Sequence, residues 1–338
     1  MNHLYETIPS EDISIIIQGP LYRIPRSEKS VGIFQSLPAL RTLFPNSQII
    51  ISTWDTEPTE GLIADEIILN KDPGAFKDIN ATTRNFNRQI VSTLSGLKVA
   101  NRKYVLKTRS DLLFTSTQFA RISPASSNSL LKSKITISNL VLRKPESVPF
   151  LYHLSDVVQF GLTEDIRDLW TIPYEEEHEV CGLKLSSLIW RFSSSRFKFH
   201  PEQSLCTRWL RKHNQNVVLT NPAQITFNFY VHWMQILTSN FHVVDYRDSG
   251  IQFPHHFFTS AYSVKWTLYY PEHLSRIASS LHSGLEMRKM YTWVWVNKYI
   301  LSFFQLTFIL GVTSNILYAL SPALHKRVFT LYRKFRGR

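Results

Sequence analysis

Two cysteines in 338 residues, Cys181 and Cys206, are too few for a disulfide framework and are not spaced as a paired metal motif. They read as thiols in a reducing compartment. There is no Gly-x-Gly-x-x-Gly and no Walker P-loop, which removes most of the case for a dinucleotide oxidoreductase or a P-loop NTPase. The first apolar run, Ile13 to Ile17, is too short for a secretory core and follows Glu11 and Asp12, so no leader segment is expected. His232, His242, His255 and His256 fit no standard zinc spacing, and structural or loop roles are favoured for them. No internal repeat is evident. With 43% hydrophobic and 19% charged residues the chain is neither disordered nor a polytopic membrane protein. Its length allows one large domain or two moderate ones.

Acidic residues are scarce in one region. Leu285 to Arg338 holds nine Lys/Arg and one acid, Glu286, whereas the first 284 residues hold 29 basic and 25 acidic. The formal net charge of +12 is therefore mostly a property of the C-terminal tail, and a nucleic-acid-binding face spread over the fold is not expected. Within that tail Tyr299 to Leu324 is a stretch of 26 residues without a formal charge, bounded by Lys298 and by His325-Lys326-Arg327. It is long enough to span a bilayer, but Ser302, Gln305, Thr307, Thr313, Ser314 and Asn315 dilute it. Spanning would also place the basic end opposite a cytoplasmic body, against the positive-inside rule. Attachment in the interface of an anionic membrane is preferred over spanning, with a helical hairpin folded onto the domain as the soluble alternative.

The rest of the chain reads as strands alternating with helices. Ile13 to Gln18 is a continuous β-branched run suited to a buried parallel strand and ends in the turn Gln18-Gly19-Pro20. A helix over roughly Lys29 to Leu43 is expected to be interrupted or restarted by Pro38. Gln48 to Trp54 is a second strand, turning polar at Asp55, and Glu66 to Leu69 a short third. Phe86, Ile90, Leu94 and Leu97 place one apolar face on a helix over Asn85 to Ala100. Asn85 is a candidate cap for it, and Arg88 a candidate anion ligand near its positive end. Lys103 to Phe114 forms a fourth strand that passes abruptly into Lys107, Arg109 and Asp111. Charge at a strand end is costly unless paired. Asp111 is thus either at a phosphate- or metal-bearing site or in an Arg–Asp pair that closes the strand.

Strand, helix, strand, strand, helix, strand is the pattern of an α/β fold with a mostly parallel central sheet. Three polar clusters would then share the carboxyl edge: Gln18-Gly19-Pro20, Ser52-Thr53-Trp54-Asp55 and Arg109-Ser110-Asp111. That convergence makes a nucleotide crevice the default reading. Beyond it, Ser116 to Ser133 reads as a surface excursion, Asp156 to Leu162 as a strand, Thr163 to Trp170 as a helix and Glu175 to Glu179 as a solvated acidic face. Pro201 opens another helix, in which Glu202 is either a first-turn acid or a catalytic carboxylate.

Several of these segments together carry a family resemblance. Ile13 to Pro20 (ISIIIQGP), Ile50 to Trp54 (IISTW), Asp72-Pro73-Gly74, Asn87-Arg88-Gln89-Ile90 with Ser92-Thr93, and Lys103 to Asp111 (KYVLKTRSD) occur in the order and spacing of the WavE family, as do Ser155-Asp156, Phe160 to Thr163 and Pro201-Glu202-Gln203. The likeness covers about residues 13 to 250 and leaves the basic tail out. It implies a nucleotide-sugar-dependent glycosyltransferase of the Rossmann-like A-type fold, acting on lipopolysaccharide core or another lipid-linked surface glycan. The fourth strand also resembles the metal-binding strand of A-type enzymes, some of which carry three consecutive aspartates where this chain has Arg109-Ser110-Asp111. Asp111 could hold Mn2+ or Mg2+ alone, or Lys107 and Arg109 could replace the metal against the leaving phosphate.

The expected arrangement follows. Residues 1–12 lead in, 13–284 form the transferase domain (13–115 nucleotide half, 116–284 acceptor half), and 285–338 form a membrane-associating tail. Gln18, Gly19, Pro20, Ser52, Thr53 and Asp55 line the nucleotide pocket; Lys107, Arg109 and Arg88 hold phosphate; Asp111 orients the donor or a metal. Glu202, or next Asp156, deprotonates the acceptor. The enzyme would be cytoplasmic and peripheral at the inner face of the membrane. A nucleotidyl- or phosphotransferase and a non-catalytic scaffold are the rival readings.

Overall fold

The computed structural model describes residues 8–25, 30–77, 83–176, 199–259, 265–304 and 306–335. Seven main strands form one twisted sheet: β1 (Ile13–Gln18), β2 (Gln48–Trp54), β3 (Glu66–Asn70), β4 (Tyr104–Thr108), β5 (Ser133–Ser138), β6 (Gln159–Leu162) and β7 (Phe241–Val244). Their spatial order is β7-β5-β6-β4-β1-β2-β3. β1, β2 and β3 are mutually parallel, β4 is parallel to β1, and β7 is parallel to β5. Only β6 runs against both its neighbours. The sheet is thus mostly parallel, as expected, and departs from an all-parallel doubly wound order at β6.

Every residue of β1 and β2 is buried, the physical content of their isoleucine-rich runs: both faces are covered, and the buried polar Ser14 and Gln48 are paired, Ser14 Oγ donating to Gln48 Oε1. Ile15 lies opposite Ile49 and Leu106 and shares one apolar cluster with Ile33, Leu37 and Leu40 of α1 (Ile33–Leu43). Ile16, Ile50 and Val105 belong to the cluster on the opposite face, with Phe86, Ile90 and Leu97 of α2 (Phe86–Val99). Burying each such side chain stabilises the fold by about 1.5–3 kcal/mol. Gly96 of α2 lies against β1: a Cβ there would sit 2.5 Å from Ile16 Cγ2.

Several sequence expectations change in the fold. α1 runs through Pro38 without a break. Pro38 and Phe34 are both on the exposed face, so the carbonyl that loses its helical partner turns to solvent. Ser116 to Ser133 is not a pure surface excursion. Phe119 and Leu131 are buried there, and Ser123–Pro124 pairs with β5. Glu175 is buried, with its backbone bonded both ways to the Asn87 amide and its Oε1 accepting from Ser204 Oγ. Glu177 to Glu179 and Cys181 lie outside the described residues, while Cys206 is a buried free thiol.

Further helices cover the β5–β7 half: α3 (Thr163–Trp170), α4 (Pro201–Lys212), α5 (Phe227–Asn240) and α6 (Pro271–Ser280). α7 (Gly284–Tyr299), expected to belong to the tail, docks on this body through buried Met287 and Val294. The chain then continues into α8 (Leu306–Leu320) and α9 (Pro322–Phe335). Among the described residues no helix is long and apolar enough to cross a membrane.

Candidate active site

A cleft of about 330 Å³ opens at the carboxyl ends of the parallel strands. The turn after β1 brings Gln18, Gly19 and Pro20 to it, Gly19 at φ +89° where a residue without Cβ is preferred. Arg109 enters from the end of β4, Trp54 from β2, and Asp72 from beyond β3. Asn85, Arg88 and Gln89 contribute the start of α2. No side chain caps that helix, because Asn85 Oδ1 accepts from Arg88 Nη1 at 3.0 Å and is not turned to the helix amides. The capping alternative for Asn85 therefore does not hold, and the positive end of the α2 dipole meets the cleft.

Both cleft arginines are held rigidly. Arg109 donates from Nε and Nη2 to the two oxygens of Asp111, at 2.8 and 2.7 Å. Arg88 donates likewise to Asp72, at 2.7 and 2.5 Å, and the hydrogen bonds from Arg88 hold the Asp72 carboxyl below its usual range. Such forked pairs fix the guanidinium plane, so little further side-chain entropy is lost when a ligand is bound. The Arg–Asp pair that the sequence left as one alternative is what closes β4. Asp111 is 2% exposed with each oxygen occupied by Arg109. It does not fit the divalent-cation role, since both its oxygens are taken by the fork and only Arg109 keeps an accessible edge, 23% of its side chain.

The other expected residues divide. Asp55 is exposed beside the cleft and is not among its lining residues. Ser52 and Thr53 are wholly buried beneath it: Asn70 Nδ2 donates to Ser52 Oγ and to the Thr53 carbonyl. Thr53 Oγ1, Thr93 Oγ1, Thr108 Oγ1 and Gln89 Oε1 are buried with no hydrogen-bond partner among the described residues, and Gln89 lines the cleft. Tyr22, Thr56, Glu57 and Asp72 also line it; of these the sequence marked only Asp72, as part of the Asp72-Pro73-Gly74 segment in the family resemblance.

Lys107 is a correction. It alternates to the face of the sheet under α3, is 0% exposed, and donates to the Asp156 carbonyl with its ammonium 4.5 Å from the Trp170 ring centroid. It therefore cannot hold a phosphate in the cleft. Burial pushes its pKa down to about 8. The unfolded chain then binds one more proton than the native chain between pH 8 and the ordinary lysine value, so this group makes stability rise with pH across that window. Lys107→Met is expected to flatten that part of the stability–pH curve, measured by urea midpoints at pH 7, 8, 9 and 10 for both proteins.

A second cluster lies on the same edge because β6 is antiparallel. Its amino end, Gln159, pairs with Lys107 at the carboxyl end of β4, which brings Asp156 alongside. The loop after β5 adds Arg143 and His153, and α4 presents His200 and Glu202 at its start. Glu202 Oε2 is 3.7 Å from His153 Nε2. Burial and then the Asp156 charge raise the Glu202 carboxyl to about 7, while 18% of its side chain stays accessible. Burial, then Arg84 and Arg143, hold His200 down to about 3, and burial with the charges of His200 and Arg143 holds His153 well below its usual value. Asp156 joins the two clusters electrostatically, since its charge acts on both Arg109 and Glu202.

Backbone strain concentrates here. Val141 (φ 71°) and Tyr152 (φ 57°), two residues before Arg143 and one before His153, are non-glycine residues in the left-handed region. Such conformations each cost about 1–3 kcal/mol and gather at functional sites. Ligand atoms of His153, His200 and Glu202 lie within 4.8 Å of one another, the donor set of a divalent ion. The charges of Arg84 and Arg143 oppose a cation at this cluster and that of Asp156 favours one. The two imidazoles were not singled out from sequence, because nothing in their spacing from Glu202 marks them.

The model of a family described as WavE lipopolysaccharide synthesis matches residues 13–326 of the chain, and so extends well past the part in which the sequence likeness was legible. No curated protein matches it. Among solved structures, the 4-diphosphocytidyl-2C-methyl-D-erythritol synthase from Anaerococcus prevotii DSM 20548 aligns with 79% of this chain and 100% of its own, at 14% identity and a TM-score of 0.34.

Proposed function

Because the chain belongs to the WavE lipopolysaccharide synthesis family, we propose that it is a glycosyltransferase that uses a nucleotide sugar and acts on a hydroxyl of a lipopolysaccharide core or related surface glycan. The observation that carries this reading is the half-buried Glu202 carboxyl, raised by burial and by the charge of buried Asp156, on the same sheet edge as an arginine-lined cleft. A sugar phosphate attacking a nucleoside triphosphate is already an anion and needs no base. A sugar hydroxyl is a poor nucleophile until its proton is taken, and a carboxylate poised near neutral pH suits that task.

In the proposed reaction the nucleotide occupies the cleft, with its diphosphate against Arg109, Arg88 and the start of α2. Glu202 accepts the acceptor's proton as the acceptor oxygen attacks the anomeric carbon. The bond from that carbon to the diphosphate oxygen breaks, and the negative charge that develops on the leaving group is met by the two guanidinium groups. Burial, and then the Asp156 charge, keep the Glu202 carboxyl high enough in pKa to work as a base. His153, neutral at working pH, packs against Glu202 and limits its rotation.

Calorimetry of the full-length protein with a panel of nucleotide sugars tests the cleft. One donor is expected to bind tightly, and incubation with glycan acceptor is expected to release a nucleoside diphosphate. Release of pyrophosphate from a nucleoside triphosphate and a sugar phosphate would instead establish nucleotidyl transfer.

A further inference from the structure

The end of the chain is an apolar surface of a different kind from the cleft. α8 and α9 pack on each other about His325, which is buried, stacks on Phe329 and lies 2.9 Å from Ser314 Oγ. α8 also packs on the one-turn helix Leu301–Phe304 that precedes it. Among the described side chains of this segment, Phe304 just before the hairpin is 84% exposed and Leu320 77%, with Ile309, Ile316, Leu324 and Leu331 also exposed. On α7, Trp293 is 64% exposed and Trp295 is exposed as well. Single exposed apolar residues need no explanation, but so many along one short segment, 304–331, mark an interaction surface.

The charge around it selects the partner. From Leu285 onward the chain carries nine Lys/Arg against one acid, and Lys326 and Arg327 are exposed on the first turns of α9. A second copy docked through this face in a two-fold arrangement would set these like charges against each other. An anionic lipid surface meets both demands, taking the apolar side chains into its acyl boundary and pairing its headgroups with the cations. Exposed Trp and Tyr side chains at the base of the hairpin suit the headgroup level. Depth follows from length. α8 has 15 residues, roughly 22 Å at 1.5 Å per residue, less than the roughly 30 Å of bilayer hydrocarbon, and Pro322 begins a new helix directly after it.

We propose that the α8–α9 hairpin is a monotopic anchor that lies in one leaflet of an anionic bilayer and holds the body at the membrane surface. It stands independently of the transfer chemistry, and a protein that proved to be a nucleotidyltransferase would keep it.

Flotation of the full-length protein with vesicles tests the anchor. Partitioning into phosphatidylcholine vesicles containing 30% phosphatidylglycerol is expected to exceed that into pure phosphatidylcholine by at least tenfold at low salt, and to fall as salt is raised. Leu320→Glu with Phe304→Glu is expected to reduce binding to the anionic vesicles by tenfold or more. Both side chains are exposed, so circular dichroism should be unchanged. Lys326→Glu with Arg327→Glu is expected to lower binding to anionic vesicles and leave the neutral baseline where it was. Protein that stays in solution with both lipids would overturn the proposal. So would light scattering that shows a dimer which the Leu320→Glu variant converts to monomer, since the face would then belong to a second copy.

Discussion

Glu202→Gln is expected to lower kcat by roughly 10²–10⁴-fold at neutral pH, the range for removing a general base, and to leave donor affinity within about twofold. The pH dependence is the sharper readout. Only the carboxylate form accepts a proton, so wild-type kcat is expected to rise with pH through about 7, where burial and the Asp156 charge place the group, and to level off above. In the variant that limb disappears. Stability moves the other way. A carboxyl raised in the folded state holds more protons than in the unfolded chain between its ordinary value and about 7, so stability falls as pH rises across that window. Glu202→Gln removes the loss and is expected to be more stable than wild type at pH 8 while nearly inactive. An inactive variant that is also less stable would point to a structural role for Glu202 and against the base assignment.

Arg109→Ala is the second large effect, and two consequences must be told apart. The substitution leaves Asp111, 2% exposed, without the partner that occupies both its oxygens. An unpaired buried carboxylate costs about 3–5 kcal/mol, and the accessible edge of the pair (Arg109 side chain 23% exposed) puts the expected loss near the lower bound. Thermal or urea unfolding reads this directly. The cleft also loses a cation placed for the leaving diphosphate, with an expected drop in kcat of roughly 10²-fold or more. The double variant Arg109→Ala, Asp111→Ala separates the two: it is expected to regain most of the stability and none of the activity. Full recovery of turnover in the double variant would reduce Arg109 to a strand-closing residue. Arg109→Lys keeps the charge but loses the fork, and should fall between.

Much of this arrangement is legible in the residues taken in order. The isoleucine-rich Ile13-to-Ile17 and Ile49-to-Ile51 runs read as central strands covered on both faces, and the Phe86, Ile90 and Leu97 stripe faces the sheet as its spacing requires. Gln18, Gly19, Pro20, Arg88 and Arg109 reach the cleft because they follow strand ends or open a helix, positions that a pattern of strands and helices already aligns. Lys107 lies away from the cleft for a physical reason. In a strand the side chains alternate between faces, and a strand buried on both faces can hide a lysine whose carbon stem packs and whose ammonium finds one carbonyl and one ring. Local sequence does not report which face is in use that close to a strand end. The capping role open to Asn85 failed in a similar way, since Arg88 competes for the same oxygen.

By itself the sequence determined the α/β class, the parallel β1–β2–β4 centre, the polar carboxyl edge and the basic, uncharged-then-cationic tail. Each of these rests on nearest-neighbour patterning of apolar and charged residues along the chain. Only the tertiary structure decided that Asp111 is closed by Arg109, that α7 belongs to the body and that His153, His200, Glu202 and Asp156 meet. The last turns on one strand. β6 enters the sheet antiparallel, so the residues before it, and not those after it, arrive at the edge where β1, β2 and β4 end. Strand direction is set by pairing across the sheet, between Gln159 and Lys107, some fifty positions apart in the chain, and no local pattern in either segment encodes it.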